Sequence, residues 1–151
     1  MDLDELRAAL MAQHHQLKRL IGMARRMSTQ MANGGASAAR GLRLREILEE
    51  LSRALDAHTH TEDATLQPIL ATIDAWGPER VARMDSDHRA EHRAVASVLE
   101  TISSATHPKK AAAAARAMAD ELMGHILDEE KYFLNRGVLN WDVIRVDQPT
   151  D

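Results

Sequence analysis

The 151-residue chain contains no cysteine, which excludes disulfides and thiolate metal sites. Aromatic residues make up only 3% of the chain, whereas hydrophobic residues make up 44%. A core of Leu, Ile, Ala and Met suits helices, because sheets favour aromatic and β-branched side chains. No apolar run is long enough to cross a membrane, and the acidic N-terminus shows no signal peptide. We therefore expect a helical protein of the cytoplasm.

Several functional motifs are also missing. The chain has no His-Glu-x-x-His motif of zinc proteases, no Glu-x-x-His repeat of ferritin-type di-iron proteins and no glycine-rich phosphate loop. The formal net charge of −4 argues against general binding to nucleic acid. These absences exclude the three motif classes named above, so any binding or catalytic site must be recognised from a different pattern of residues.

Apolar residues recur at steps of three and four, and this spacing predicts four long amphipathic helices. Pro68 lies inside the second helix, where we expect a kink or an early end. Short connections predict an all-α, up-down-up-down antiparallel four-helix bundle. We expect one domain over residues 1–151, with a core of about 3–135 and a short tail at 136–151. The predicted helices cover about residues 3–31, 38–73, 79–104 and 109–135.

Each apolar stripe is interrupted by titratable residues near the middle of its helix. Three of the helices carry them as pairs at i and i+4, which share one helix face. Burying so many titratable groups is costly unless something pairs them. The pattern therefore predicts a shared metal site with these ligands: His14, His58, Glu62, His88, His92, His125 and Glu129.

The mixture of imidazole and carboxylate suits iron, manganese or zinc rather than calcium. Seven ligands are too many for one tetrahedral zinc and suit two adjacent metals. Two octahedral metals offer twelve coordination positions in total. Five imidazoles, two bridging carboxylates and one bridging oxide or hydroxide leave one position open. A diatomic molecule or peroxide would bind there.

Two further groups of residues concern the surroundings of this site. Glu130 competes with Glu129, because an offset of five residues from His125 could also reach the metals. Asp63 and Glu130 could otherwise accept hydrogen bonds from the ligand imidazoles. The remaining histidines lie off the stripes and are expected at the surface: His15, His60 and His107.

These motifs resemble the hemerythrin family, also called the HHE cation-binding domain, over about residues 3–135. The segment from His58 to Pro68 resembles the second-helix motif, His-x-x-x-Glu followed by Leu and Pro. His88-x-x-x-His92 resembles the third-helix pair, and His14 the first-helix ligand. His125-x-x-x-Glu129 resembles the fourth-helix pair of bacterial members, whereas oxygen-carrying members place an Asp one residue later.

The resemblance implies a four-helix bundle with two non-haem iron ions. Family members bind oxygen reversibly, sense oxygen or redox state, handle iron, or act on peroxide and nitric oxide. The family's iron–sulfur repair branch carries a cysteine-bearing extra region, which this chain lacks. A sensing role would need a separate redox or signalling partner, since no second domain is visible.

We expect reversible O2 binding at an open iron position, for storage, transport or sensing. In that hypothesis an apolar pocket slows oxidation; its lining is expected to be Leu17, Leu55, Leu66, Val95 and Leu122. One alternative is an enzyme that decomposes hydrogen peroxide or reduces nitric oxide, with Tyr132 donating a hydrogen bond or an electron. A structural module that holds zinc or no metal is a third possibility.

Overall fold

The computed structural model describes residues 2–103 and 107–139, and the predicted tail beyond residue 139 lies outside these ranges. Regular structure in the described residues is entirely helical, which confirms the all-α prediction. The α-helices are α1 (Leu3–Gln30), α2 (Ala38–Thr61), α3 (Gln67–Ile73), α4 (Gly77–Ser103) and α5 (Pro108–Tyr132). Two π-helical turns, Met31–Gly35 and Glu62–Leu66, follow α1 and α2.

The ends of the first helices follow from local side-chain chemistry. At the start of α1, the Asp2 carboxylate accepts a hydrogen bond from the Glu5 backbone N–H at 2.7 Å, and the Glu5 carboxylate accepts one from the Asp2 N–H at 2.9 Å. The turn after α1 contains Gly34 with φ of 86°, a left-handed conformation that favours glycine. The Ser37 hydroxyl then caps α2 by accepting from the Arg40 N–H at 3.2 Å.

The predicted interruption near Pro68 takes the form of the π-helical turn Glu62–Leu66. Here the Gln67 N–H donates to the Glu62 carbonyl, five residues earlier, instead of four. Pro68 then stands in the first turn of α3, where its missing N–H leaves no hydrogen bond unmade. The helix is therefore widened at Glu62, one of the predicted metal ligands.

Four long helical segments pack around one another: α1, α2 with its continuation α3, α4 and α5. Helices α1 and α4 each pack against both α2 and α5, and α3 packs against α4. Buried apolar side chains form two clusters, one at each end of a polar layer. In α1, for example, Leu10 belongs to one cluster, Leu17 to the other, and buried His14 lies between them. The fold thus surrounds the polar layer with hydrocarbon.

Across the two described ranges, no helix combines the length and the apolarity needed to span a bilayer.

Candidate metal centre

Four buried residues from three helical segments converge in the polar layer. They are His14 of α1, His58 of α2, Glu62 of the π-helical turn and Glu129 of α5. Each offers one ligand atom, and these atoms all lie within 4.8 Å of one another. We call these four residues the central group. Their exposed fractions are 8% or less, so water is largely excluded from the polar layer.

Nitrogen and oxygen atoms of the central group face each other at short range. The Nε2 atom of His14 lies 3.2 Å from Oε2 of Glu129 and 3.2 Å from Nε2 of His58. His58 Nε2 is in turn 3.3 Å from Oε2 of Glu62. The two imidazoles therefore direct the same ring nitrogen toward the same pair of carboxylates.

His88 of α4 adjoins the central group. Its Nε2 atom lies 3.0 Å from Oε2 of Glu62 and 3.8 Å from Oε1 of Glu129. Despite this proximity, neither His88 Nε2 nor the Glu62 carboxylate oxygens have a hydrogen bond of acceptable geometry within the described residues. A buried polar group without a partner costs about 1–3 kcal/mol. Buried nitrogen and oxygen atoms that face one another without hydrogen bonds are donors that a bound cation would engage.

In the absence of metal, protons balance the negative charge of the carboxylates. Burial disfavours the charged form of His88, but Glu129 and Glu62 outweigh it and raise the pKa of His88 to about 10. Burial also lowers the pKa of His14, but the Glu129 carboxylate outweighs this effect, and the pKa of the imidazole is raised. Burial would raise the pKa of Glu129, yet the three imidazoles of His14, His58 and His88 hold it well below its usual range. A bound cation would replace these protons.

The structure separates the roles of Glu129 and Glu130, which the sequence left open. Glu129 belongs to the central group, whereas Oε1 of Glu130 lies 3.2 Å from the other ring nitrogen of His14, Nδ1. Lys18 Nζ lies 2.6 Å from the same Glu130 oxygen. Glu130 therefore occupies the position of an acceptor behind the imidazole.

Two further imidazoles have an oxygen behind them in the same way. His58 Nδ1 is 3.0 Å from Oε1 of Gln13, and His88 Nδ1 is 3.5 Å from Oδ1 of Asp63. Asp63 was predicted as such an acceptor, but Gln13 was not. Nothing in the sequence singles out Gln13, because residues adjacent in a helix point in different directions and its partner comes from another helix.

The structure does not bring His92 and His125 into the central group. His92 Nδ1 lies 3.1 Å from Asp56 Oδ1, its Nε2 lies 3.1 Å from Thr59 Oγ1, and its side chain is 33% exposed. His125 Nδ1 lies 2.7 Å from Glu91 Oε1, and its side chain is 30% exposed. Their assignment as metal ligands stays a prediction.

Glu91 is a buried carboxylate that sequence reasoning missed. It is 6% exposed and lies on α4, three residues after His88. Burial and the nearby Glu129 carboxylate raise the pKa of Glu91, while His125 opposes the shift. The spacing from His88 is the signal that could have found it, since residues three apart also share a helix face. The three histidines predicted at the surface are indeed exposed: His15, His60 and His107.

A cavity of about 90 Å³ adjoins the centre between α4 and α5. It is lined by Arg83, Asp87, His125, Asp128, Glu129, Tyr132 and Phe133. Tyr132, which the enzyme hypothesis invoked, is 49% exposed and thus stands at the outer side of this cavity. None of the five apolar residues predicted to line an oxygen pocket lines it; all five are buried in the two apolar clusters.

The comparison with protein families agrees with the geometry of the site. Residues 5–136 match the family model described as hemerythrin HHE cation binding domain. No curated protein and no solved structure matches the chain. The matched range includes the whole central group, and it confirms the resemblance inferred from the helix motifs. The chain belongs to the hemerythrin HHE cation-binding domain family.

Proposed function

We propose that this cation-binding domain holds two iron ions and binds O2 reversibly at an open iron position. The observation that carries the proposal is the buried convergence of imidazole and carboxylate groups in the central group. Glu62 and His88 strengthen it, because their buried polar atoms lack hydrogen bonds within the described residues. A donor set of imidazole and carboxylate without thiolate suits iron, manganese or zinc.

The distances suggest which residues would hold each ion. Glu62 Oε2 lies near both His58 and His88, and Glu129 lies near His14 as well as His88, so both carboxylates would hold the ions together with these imidazoles. His14 and His58 would serve one ion, and His88 the other. When bound, an iron pair supplies the electrons and the coordination position that O2 requires.

His92 and His125 are the proposed additional ligands of the ion next to His88. His92 would have to leave Thr59, whose hydroxyl now lies 3.1 Å from its Nε2 atom. Within the described residues, the His125 ring has a hydrogen bond only at Nδ1, with Glu91. We therefore expect His125 to join the centre more readily than His92.

The surroundings favour a stable complex with a small ligand. Apolar clusters on both sides exclude water, so the chain protects a bound ligand from hydration and proton exchange.

We also infer the up-down-up-down antiparallel order, and a single domain over residues 1–151. Short connections and the packing of α1 and α4 against both α2 and α5 support that order. The cytoplasmic location stays a prediction.

The polar cavity beside Glu129 favours a second candidate function, the decomposition of hydrogen peroxide. Arg83, Asp87, Asp128 and Tyr132 line it with hydrogen-bonding groups. Such groups suit a polar oxidant better than they suit O2, which forms weak hydrogen bonds. In that function the same centre is an enzyme, and Tyr132 is placed to donate a hydrogen bond to the entering substrate.

One series of measurements tests both functions. The chain is purified without added metal, and elemental analysis is expected to find about two irons per chain; zinc alone, or no metal, would contradict the proposal. The reduced iron-loaded protein is then mixed with O2 in a stopped-flow spectrometer. A species that releases O2 under vacuum supports reversible binding, whereas immediate irreversible oxidation rejects it. Peroxide-dependent O2 evolution that is lost in Tyr132→Phe would favour the second function.

A further inference from the structure

The imidazoles that face the centre share one arrangement. His14, His58 and His88 each direct Nε2 toward the carboxylates of the centre, and each has an oxygen atom behind Nδ1. An acceptor behind one ring nitrogen fixes both the tautomer and the orientation of the ring, which leaves the other nitrogen ready to bind a metal. The arrangement therefore prepares these rings before any ion arrives.

His125 has the same kind of acceptor, at a shorter distance. Its Nδ1 atom lies 2.7 Å from Oε1 of Glu91, the shortest contact between an imidazole and a carboxylate within the described residues. An ionised carboxylate can only accept hydrogen bonds. With Glu91 as the acceptor, the hydrogen of a neutral His125 ring is on Nδ1, and Nε2 carries the free lone pair.

Burial distinguishes Glu91 from the other carboxylates behind imidazoles. The side chain of Glu91 is 7% exposed, whereas those of Glu130, Asp63 and Asp56 are 18%, 54% and 65% exposed. Water can replace an exposed acceptor, but a buried one has no substitute. Keeping a carboxylate buried on α4 is also costly for folding alone, because an apolar side chain would be tolerated there at least as well.

We infer that Glu91 is a positioning residue for the metal centre: its buried carboxylate holds His125 with Nδ1 protonated and Nε2 free to bind the second ion. This inference rests on the proposed function. It adds to the centre a carboxylate whose role is to orient one ligand, His125, which adjoins the cavity beside Glu129.

Two substitutions at Glu91 separate positioning from a purely structural role. Glu91→Leu removes the acceptor, and we expect the affinity for Fe(II), titrated anaerobically, to fall about 10- to 100-fold. Glu91→Gln keeps an oxygen acceptor without the charge and is expected to restore most of that affinity. Asp56→Asn is the matched control, because it alters an exposed carboxylate behind His92 and should change the affinity less than about threefold.

A second readout uses the metal-free protein. In ¹⁵N NMR spectra of the imidazoles, His125 is expected to show a protonated Nδ1 in the wild type and a mixture of tautomers in Glu91→Leu. The melting temperature of metal-free Glu91→Leu should stay at or above that of the wild type, so that a loss of metal affinity is not a loss of folding.

Unchanged iron affinity in folded Glu91→Leu, beside a wild type that binds iron, would overturn this inference alone. A wild-type His125 without the proton on Nδ1 would also overturn it. A wild-type chain that binds no metal would overturn the proposed function, and this inference with it.

Discussion

The five histidines on the helix stripes divide into two sets. The inner histidines, His14, His58 and His88, are at most 5% exposed and face carboxylates that they share. The outer histidines, His92 and His125, are about one third exposed, and each contacts a carboxylate outside the central group. Sequence spacing predicted all five histidines equally as metal ligands. The difference shows that residues on one helix face are not equally buried, so a shared face predicts candidate ligands but not their distance from the centre.

The buried residues of α4 and α5 explain the division. In α4 the buried positions near the site are Met84, His88, Glu91 and Val95, so Glu91 rather than His92 continues the inward stripe. In α5 they are Leu122, Ile126 and Glu129, and His125 lies beside that stripe. In both helices the inward position and the predicted ligand are adjacent in sequence, separated by about 100° around the helix axis.

The largest expected effect on iron affinity comes from removing Glu62, the carboxylate that two of the inner histidines share. Glu62→Ala removes a fully buried group that lies close to both His58 and His88. We expect a loss of more than about 100-fold in iron affinity, since a direct ligand contributes more than the partner behind it. Elemental analysis after dialysis measures the effect. Glu46→Ala, an exposed position on the same helix, is the control; iron retained in Glu62→Ala would refute the assignment.

A pair of histidine substitutions tests the comparison directly. His14→Ala should lower iron affinity by more than about tenfold, because it removes a nitrogen 3.2 Å from Glu129. His92→Ala should lower it less than His14→Ala does, because this ring must first leave Asp56 and Thr59 to reach the ion. Both affinities are measured by the same anaerobic titration. Equal losses in the two variants would abolish the division between inner and outer histidines.

A smaller effect is expected on the metal-free protein as the pH changes. The pKa of His88 is raised from 6.5 to about 10 in the folded chain, so the folded state holds this proton more tightly than the unfolded state. The resulting stability is fully present below pH 6.5 and is lost as the pH rises toward about 10. Denaturant unfolding across this window measures the decline.

In the proposed function, bound iron would reverse this dependence, because binding requires deprotonated imidazoles and the affinity for iron therefore rises with pH. The exposed histidine variant His15→Gln is the control and should follow the wild type in both forms. A metal-free stability that stays flat from pH 6.5 to 10 would show that His88 is not held by Glu129 and Glu62.

Much of the fold could be predicted from the sequence because it depends on local signals. The apolar periodicity predicted a first helix over about 3–31 and a fourth over about 109–135, and the structure has α1 at Leu3–Gln30 and α5 at Pro108–Tyr132. The interruption near Pro68 was also predicted. It depends on the backbone conformations that proline forbids.

Part of the site depends on contacts between helices, which no local pattern encodes. Gln13 lies behind His58 and Glu130 behind His14 only because α1 packs against α2 and α5 at one particular rotation. The packing of α4 against its neighbours likewise places Glu91, rather than His92, on the buried face of that helix. Periodicity tolerates either residue, and packing selects one.

The amino-acid order alone determined that four amphipathic rods would each carry imidazole or carboxylate groups through their apolar faces, and hence that a cation site would form where the rods meet. Tertiary packing decided which of the candidate residues lie at the buried centre of that site and which lie beside it, about one third exposed. The physical reason is that a helix turns every 3.6 residues, so a stripe alternates between steps of three and four. Only the rotation of each helix against its neighbours fixes which step is taken.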